Sequence, residues 1–321
     1  MGTDVPGRVR LRIVLGTVMR RPEPPGRIRC ALTRIAPGTI YLLAVALSAC
    51  VPEQPGAPVE DREASLRVTD ASGTIVALPG PAQRIVSLVP SATQTLRAIG
   101  AEGALVGRTD FDLVAWAAGV PSVGGGIEPN LETIVALEPD LVIRFEGPQD
   151  PRTPQRLDEL GIAHLAVRPD HIEDIYQTAR ILGVVTGHAE AADSLVAKIQ
   201  RDLLALSERA AAFSRRRVVY VLGGTPPWVS GPGTYIDEIL SLVGGDNVFR
   251  DLRVLYSSVS PEQLLTRDIE VVLHSGASTF DPSLTPGARV VDIGDALEIP
   301  GPDVAEAAYH VAELLHGQSL R

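Results

Sequence analysis

The feature that most constrains the fold is an uninterrupted amphipathic stretch near the middle of the chain. Residues 189–212 contain neither glycine nor proline. Their apolar positions recur at helical spacing, at Ala192, Leu195, Val196, Ile199, Leu203, Leu204 and Leu206. The pattern predicts one helix of about 24 residues, which is about 36 Å long at 1.5 Å per residue. A helix of this length is longer than most helices of globular domains, so it predicts a rigid connection between two bodies.

Short apolar strands alternate with helical segments on both sides of that stretch. Before it, the sequence predicts a hairpin over 66–78, strands at 84–89, 104–106, 141–143 and 162–167, and helices at 91–98, 131–137 and 172–182, with Ser91 and His171 as caps. After it, strands are predicted at 217–222, 269–273 and 289–293, and helices at 235–243, 261–265 and 304–315. This alternation predicts an α/β protein with two lobes, each with a mainly parallel sheet flanked by helices, joined by one long rigid helix.

The first residues have the pattern of an export signal. Several arginines precede a short apolar run, Ile40–Leu47, which is too short to span a bilayer and ends in Ser48-Ala49-Cys50. The segment Leu47–Cys50 resembles the bacterial lipobox, whose cysteine is lipidated and becomes the new N-terminus. We therefore expect a signal peptide over 1–49 and a lipid anchor at Cys50, outside the cytoplasmic membrane. A chance cysteine after an apolar run is the alternative.

The chain divides into segments of different composition after Cys50. Residues 50–65 are rich in proline, glycine and acidic residues, which predicts a flexible tether. We expect an N-terminal lobe over 66–185, the connecting helix within 186–215 and a C-terminal lobe over 216–321. The only other cysteine, Cys30, precedes the predicted cleavage point, so no disulfide is expected and the cores must supply the stability.

The charge balance argues against nucleic acid as a partner. Only two of the 39 acidic residues but eight of the 29 basic residues precede Cys50, which leaves 37 acidic and 21 basic residues. Lys198 is the only lysine of the chain. No basic stripe is therefore available to neutralise phosphates.

Several motifs, in a consistent order between Leu66 and Gly317, resemble those of the Fe/B12 class of periplasmic binding proteins. These proteins are the receptors of ABC importers for cobalamin, haem and ferric siderophores. Two matching segments lie in the N-terminal half, Arg84–Thr93 and Asn130–Val142. Three later segments are most similar to those of the class members that bind vitamin B12: Gly223–Gly231, Gly244–Phe249 and Val259–Leu264. The resemblance implies a monomeric receptor whose ligand lies in a largely preformed cleft between the lobes.

The resemblance also implies ligand-binding residues. Phe111, Trp228 and Tyr256 fall where B12 receptors place aromatic side chains around a corrinoid, and flat apolar faces bury a macrocycle well. Ordinary packing roles for Phe111 and Trp228 are the alternative. Asp295, just past the last predicted strand, is a candidate polar contact, with a solvated loop acid as the alternative.

Two carboxylates match the residues with which such receptors dock onto arginines of the permease. They are Glu132 and Glu262, one in each predicted lobe. Each also lies near the first turn of a short predicted helix, where an acidic residue is favoured locally, which is the alternative explanation. The expected partners are an ABC importer permease with its ATPase. A sensor or scaffold lipoprotein that has lost transport is a further alternative.

The sequence departs from the B12 receptors at two places. The glycine run Gly124–Gly126 replaces an aromatic residue that these receptors often carry, and residues 295–303 contain no arginine. Arginines suit anionic siderophores or haem propionates. Their absence favours a near-neutral corrinoid, with haem or a ferric siderophore as the alternative.

Motifs of enzymes and metal sites are not found in the sequence. It has no G-x-S-x-G, no phosphate-binding loop, no G-x-G-x-x-G and no H-E-x-x-H. The glycine clusters Gly124–Gly126 and Gly223-Gly224 lack those spacings and are expected to allow backbone turns beside the cleft. We therefore expect no catalysis, no cofactor and no resident metal. Axial ligation of haem by Tyr235, Tyr256 or a histidine stays open.

Overall fold

The computed structural model describes residues 66–276 and 280–321. The strands in these ranges are β1 Leu66–Thr69, β2 Ile75–Leu78, β3 Ile85–Ser87, β4 Leu105–Gly107, β5 Leu141–Phe145, β6 His164–Val167, β7 Arg216–Gly223, β8 Trp228–Ser230, β9 Gly245–Asn247, β10 Tyr256–Ser258, β11 Val271–His274 and β12 Arg289–Asp292. The α-helices are α1 Pro90–Ala98, α2 Leu131–Ala136, α3 Arg152–Glu159, α4 Ile172–Thr186, α5 Ala189–Ala210, α6 Tyr235–Leu242, α7 Pro261–Leu265 and α8 Val304–His316. The predicted signal peptide, Cys50 and the tether lie outside the described residues.

The first lobe is built on a four-stranded parallel sheet in the order β4-β3-β5-β6. Its strands are almost entirely buried, as expected when helices cover both faces of a parallel sheet. The predicted hairpin is confirmed as the antiparallel pair β1-β2. Its turn is attached to β6, because the backbone N–H of Ala71 donates to the carbonyl of Ala166 at 3.1 Å.

The second lobe is built on a mixed sheet in the order β10-β8-β7-β11-β12, with β9 also paired to β7. Strands β7, β9, β11 and β12 are parallel. Strands β8 and β10 run antiparallel at one edge. The α/β class predicted from the sequence is confirmed, and the antiparallel edge is an addition to it.

Two helices rather than one connect the cores of the lobes. The predicted long helix is confirmed as α5, 22 residues long, and it packs along α4. Both helices contribute to both cores. In the first lobe, α4 contributes Leu182 and α5 contributes Ala192. In the second lobe, α4 contributes Ile175 and α5 contributes Leu203. Because α4 contributes to the cores of both lobes, these contacts do not define where one lobe ends and the other begins. The predicted boundary at residue 185 therefore stays a prediction. No helix in the part of the chain that the structure describes has the length and apolar character needed to cross a membrane.

The start of α1 differs from the prediction. Val89 occupies the N-cap position and Pro90 the first helical turn, so the predicted capping role of Ser91 is wrong. Proline is favoured at that place because its fixed φ suits a helix and its missing N–H would have no intrahelical partner. His171 is confirmed as the N-cap of α4, where its backbone N–H donates to the Asp174 carboxylate at 2.9 Å.

Candidate ligand-binding site

A cavity of about 670 Å³ lies where carboxyl ends of strands from both lobes meet. The first lobe contributes Phe145 at the end of β5 and the segment after β6, and the second contributes the end of β7 and the residue after β11. Its lining includes Phe145, Pro169, Asp170, Tyr220, Leu222, Gly223, Gly224, Tyr235, Tyr256, Ser275, Leu297 and Glu298. This edge of an open α/β sheet is where ligands usually bind, and the volume is typical of a small-molecule site. We call this cavity the cleft.

Four aromatic side chains line the cleft. Tyr220 lies on β7 and is only 1% exposed, whereas Phe145, at the end of β5, is 37% exposed. Tyr235 begins α6, whose N-cap Thr234 accepts a hydrogen bond from the backbone N–H of Asp237 at 3.0 Å. The Tyr235 hydroxyl donates to the carbonyl of Leu297, which fixes the ring. Tyr256 lies on β10, paired with β8. Rings from both lobes therefore face one cavity.

The polar side chains of the cleft are two acids, three phenols and the hydroxyls of Thr225 and Ser275. Asp170 accepts a hydrogen bond from Arg168 Nε at 2.5 Å, and Glu298 accepts one from the Ser275 hydroxyl. Among the described residues that line the cleft there is no lysine or arginine. The two carboxylates of the cleft each accept one hydrogen bond from a neighbouring side chain, and no described lining residue supplies a cation for an anionic ligand.

Burial in the cleft keeps the tyrosines neutral. It is the main cause that raises the pKa of Tyr220, and the nearby Glu298 carboxylate adds to it. Burial likewise raises the pKa of Tyr256, with a further contribution from Asp170, and the pKa of Tyr235. Neutral phenols donate hydrogen bonds, so at neutral pH these groups act as donors rather than as anions.

The structure brings together only some of the predicted ligand-binding residues. Tyr256 lines the cleft. Trp228 lies on β8 next to it, 48% exposed, with its indole against Gly224. Phe111 is 66% exposed in the loop after β4, and it is not among the residues that line the cleft. Asp295 lines a separate cavity of about 320 Å³ together with Asp303, Glu306 and His310.

The two predicted docking residues occupy equivalent places. Glu132 lies in the first turn of α2, whose N-cap Asn130 accepts a hydrogen bond from the backbone N–H of Thr133 at 3.0 Å. Glu262 lies in the first turn of α7, which is capped by Ser260. The Ser260 side chain also lowers the pKa of Glu262. Both carboxylates are exposed, and each is followed three residues later by an exposed apolar side chain, Val135 or Leu265.

The glycine clusters have structural reasons. Gly223 and Gly224 line the cleft with positive φ values of 122° and 91°, as a backbone turn there requires. A Cβ at Gly126 would lie 2.5 Å from the Leu88 carbonyl oxygen, so a side chain cannot be accommodated without movement. The expectation of turns beside the cleft is confirmed for the Gly223-Gly224 pair, whereas Gly124–Gly126 are not among the residues that line the cleft.

Sequence reasoning did not assign Phe145 or Tyr220 to the site, and it named Tyr235 only as a possible haem ligand. Tyr220 lies inside a strand that was predicted correctly, but alternation alone does not tell which of its faces borders a cavity. The signal for Phe145 was its position at the carboxyl end of a buried parallel strand. No group of three or more His, Cys, Asp or Glu residues suited to a metal occurs in the described ranges.

Comparison with known proteins agrees with this geometry. The model of the periplasmic binding protein family matches residues 85–286. A vitamin B12-binding protein of Yersinia pestis (strain Pestoides F) is 31% identical over 208 residues, which are 64% of this chain and 74% of that protein. The crystal structure of the periplasmic vitamin B12 binding protein BtuF of Vibrio cholerae is 26% identical with a TM-score of 0.65, covering 74% of this chain and 98% of that one. The periplasmic heme-binding protein RhuT from Roseiflexus sp. RS-1 has the same fold, with 21% identity and a TM-score of 0.65 over 73% of this chain and 98% of its own.

The chain belongs to the periplasmic binding protein family. Within it, the chain is a member of the class whose relatives bind vitamin B12, haem or siderophores, as the motifs predicted. These relatives are solute-binding proteins, so the prediction that the protein is not an enzyme is confirmed. Family membership also implies a location outside the cytoplasm.

Proposed function

We propose that this protein binds a corrinoid, cobalamin or a related cobamide, and delivers it to an ABC importer. The observation that carries the proposal is a cleft lined by aromatic rings and without a cationic side chain among its described lining residues. Aromatic faces suit a large, flat, partly apolar macrocycle. The amide groups around a corrin ring need no cation to balance them.

The names of similar proteins support this cargo. A B12-binding protein is 31% identical to this chain. A solved B12-binding protein is 26% identical, and the match covers 98% of that protein. Tyr256 and Trp228, which we assign to ligand binding, lie in or next to the cleft. Phe111 and Asp295, which lie elsewhere, are proposed to contact only the outer parts of a ligand larger than the cleft.

Haem or a ferric siderophore is the second candidate. The observation in its favour is the group of three phenols, because tyrosine can serve as an axial ligand of haem iron. Two observations weigh against it. The raised pKa of Tyr220 and Tyr256 favours the protonated phenol over the phenolate that a ferric ion needs, and haem propionates would meet Asp170 and Glu298 rather than arginines.

A ligand panel tests the cargo. Purified protein is titrated calorimetrically with cobalamin, cobinamide, haem and a ferric hydroxamate, and absorbance spectra are recorded with the first three. We expect saturable one-to-one binding of cobalamin and cobinamide only. A shifted Soret band on addition of haem, without any heat from the corrinoids, would overturn the proposed cargo in favour of haem.

We further propose that Cys50 carries a lipid anchor and that residues 50–65 form the tether. The support is the lipobox-like sequence Leu47–Cys50 after a short apolar run. An anchored receptor has a high effective concentration at the permease without any extra contact. Cells grown with labelled palmitate should incorporate the label into the wild-type protein and not into Cys50→Ser. Absence of label from the wild type would contradict the anchor.

A further inference from the structure

Tyr220 is a buried residue whose hydroxyl has no hydrogen-bond partner among the described residues. The side chain is 1% exposed, and none of the hydrogen bonds among the described residues involves its hydroxyl. Its oxygen is not among the fully enclosed, unpaired side-chain atoms of the described residues, so it keeps access to the cleft, whereas the hydroxyl of the neighbouring Tyr235 is engaged by the Leu297 carbonyl. Because Tyr220 lines the cleft, its unused donor is available to a group that enters from there.

A second phenol and two carboxylates line the same space. Tyr256 also has no hydrogen-bond partner for its hydroxyl among the described residues. Glu298 and Asp170 each accept one hydrogen bond, from Ser275 and Arg168, and an ionised carboxylate can accept about four. Glu298 lies close enough to contribute to the raised pKa of Tyr220. The cleft therefore presents two free donors beside acceptors with spare capacity.

The phenols and carboxylates of the cleft determine which chemical group of a ligand can bind beside them. A ligand carboxylate could accept from the phenols, but it would stand beside two carboxylates with no lysine or arginine in the lining. A purely apolar group would leave the phenols unpaired, which is unfavourable for buried donors. A carboxamide satisfies both sets, because its carbonyl accepts from a phenol and its NH₂ donates to a carboxylate.

We propose that the Tyr220 end of the cleft is a subsite for an uncharged carboxamide of the ligand and excludes a carboxylate at the same place. The inference deepens the proposed function, on which it rests, by naming the ligand group that the buried end of the cleft recognises. It predicts that the protein distinguishes an amide side chain of a corrinoid from the corresponding acid.

The test uses cobalamin and its three monocarboxylic derivatives, in which the b, d or e propionamide is hydrolysed to the acid. Dissociation constants are measured calorimetrically at pH 7.5 for the wild type, Tyr220→Phe and the control Tyr309→Phe, whose phenol lies on α8 away from the cleft. For the wild type we expect at least one acid isomer to bind about tenfold or more weakly than cobalamin. Tyr220→Phe should weaken cobalamin binding about three- to tenfold and reduce that discrimination, while Tyr309→Phe changes neither.

The outcomes separate the subsite from the function. If the wild type binds cobalamin but binds all three acid isomers equally well, the subsite is refuted and the corrinoid function stands. Unchanged affinity and discrimination in Tyr220→Phe refute it as well. If the wild type binds no corrinoid, the proposed function fails and the subsite with it. The wild-type isomer comparison decides the matter even if Tyr220→Phe does not fold.

Discussion

At the scale of single residues, Asp70 holds the N-terminal hairpin onto the first lobe. Its buried carboxylate accepts hydrogen bonds from the backbone N–H groups of Ser72 at 2.9 Å, Thr74 at 3.0 Å and Ala166 of β6 at 3.0 Å. Asp70→Ala leaves these donors without their acceptor. We expect the free energy of unfolding to fall by about 1.5–3 kcal/mol, measured by urea denaturation.

The matched control for Asp70 is Asp193→Ala. Asp193 is an exposed acid of α5 whose nearest cation, Arg180, is 3.6 Å away. Exposed pairs of this kind contribute about 0–1 kcal/mol, so the control should change stability little. Equal effects of the two substitutions would show that the hairpin does not depend on the Asp70 carboxylate.

The buried tyrosines predict an alkaline limit of stability. Burial raises the pKa of Tyr220 and Tyr235 above the ordinary value of 10.0, so the folded state holds these protons more tightly than the unfolded chain. Their contribution is complete below pH 10 and is lost progressively as the pH rises above it. Urea denaturation between pH 8 and 11 should show falling stability, with a shallower slope in Tyr220→Phe. An identical slope in wild type and variant would contradict this assignment.

The residues of the site were only partly predictable from the sequence. The resemblance to B12 receptors led to Tyr256, which lines the cleft, and to Trp228, which lies beside it, and their role in ligand binding stays a prediction. Tyr220 was missed because a buried strand has apolar residues on both faces, and the sequence does not mark the face that borders a cavity. Asp295 was linked to the cleft by position alone, but the structure places it in a different cavity.

At the scale of elements, the packing of α4 against α5 depends on Gly183. This glycine lies inside α4, where alanine would raise helix propensity by about 1 kcal/mol. A Cβ at that position would lie 2.5 Å from the Cβ of Ala192 on α5. We expect Gly183→Ala to destabilise the protein by about 1–3 kcal/mol in denaturant unfolding, because the helices must separate.

Gly103→Ala is the control for this close approach. Gly103 lies in a short 3₁₀ turn, and no heavy atom lies within 4 Å of the Cβ that alanine would add. The change should be neutral or slightly stabilising, since it restricts the unfolded chain. A stabilised Gly183→Ala variant would mean that the two helices tolerate a wider separation than their packing indicates.

The elements themselves were predictable to different degrees. Helix α7 was predicted with its observed bounds and α5 to within two residues, because periodicity and caps mark long or well-capped helices. Strands β8, β9 and β10 were missed because they lack the apolar run that marked the equally short β3 and β4. The contribution of α4 to both cores could not be read from periodicity, which gives the buried face of a helix but not what it packs against.

At the scale of the whole molecule, the proposed ligand-binding cleft and the proposed docking residues lie on different elements. Ligand binding and delivery can therefore be tested separately. The cleft lies at carboxyl ends of strands of both sheets, whereas Glu132 and Glu262 lie in the first turns of α2 and α7. Neither glutamate lines the cleft. A substitution at these positions should therefore affect delivery without affecting ligand binding.

The double variant Glu132→Ala and Glu262→Ala tests this separation. Charged groups at the rim of an interface contribute mainly to orientation and association rate, so we expect corrinoid uptake by cells to fall about tenfold while the Kd for cobalamin stays unchanged. The control removes the same charge from α5, as Glu190→Ala with Glu208→Ala, two exposed acids that also lie outside the cleft. It should leave uptake intact. Normal uptake by the docking variant would assign Glu132 and Glu262 to local helix stabilisation, because an acid in the first turn of a helix is favoured whether or not a partner binds there.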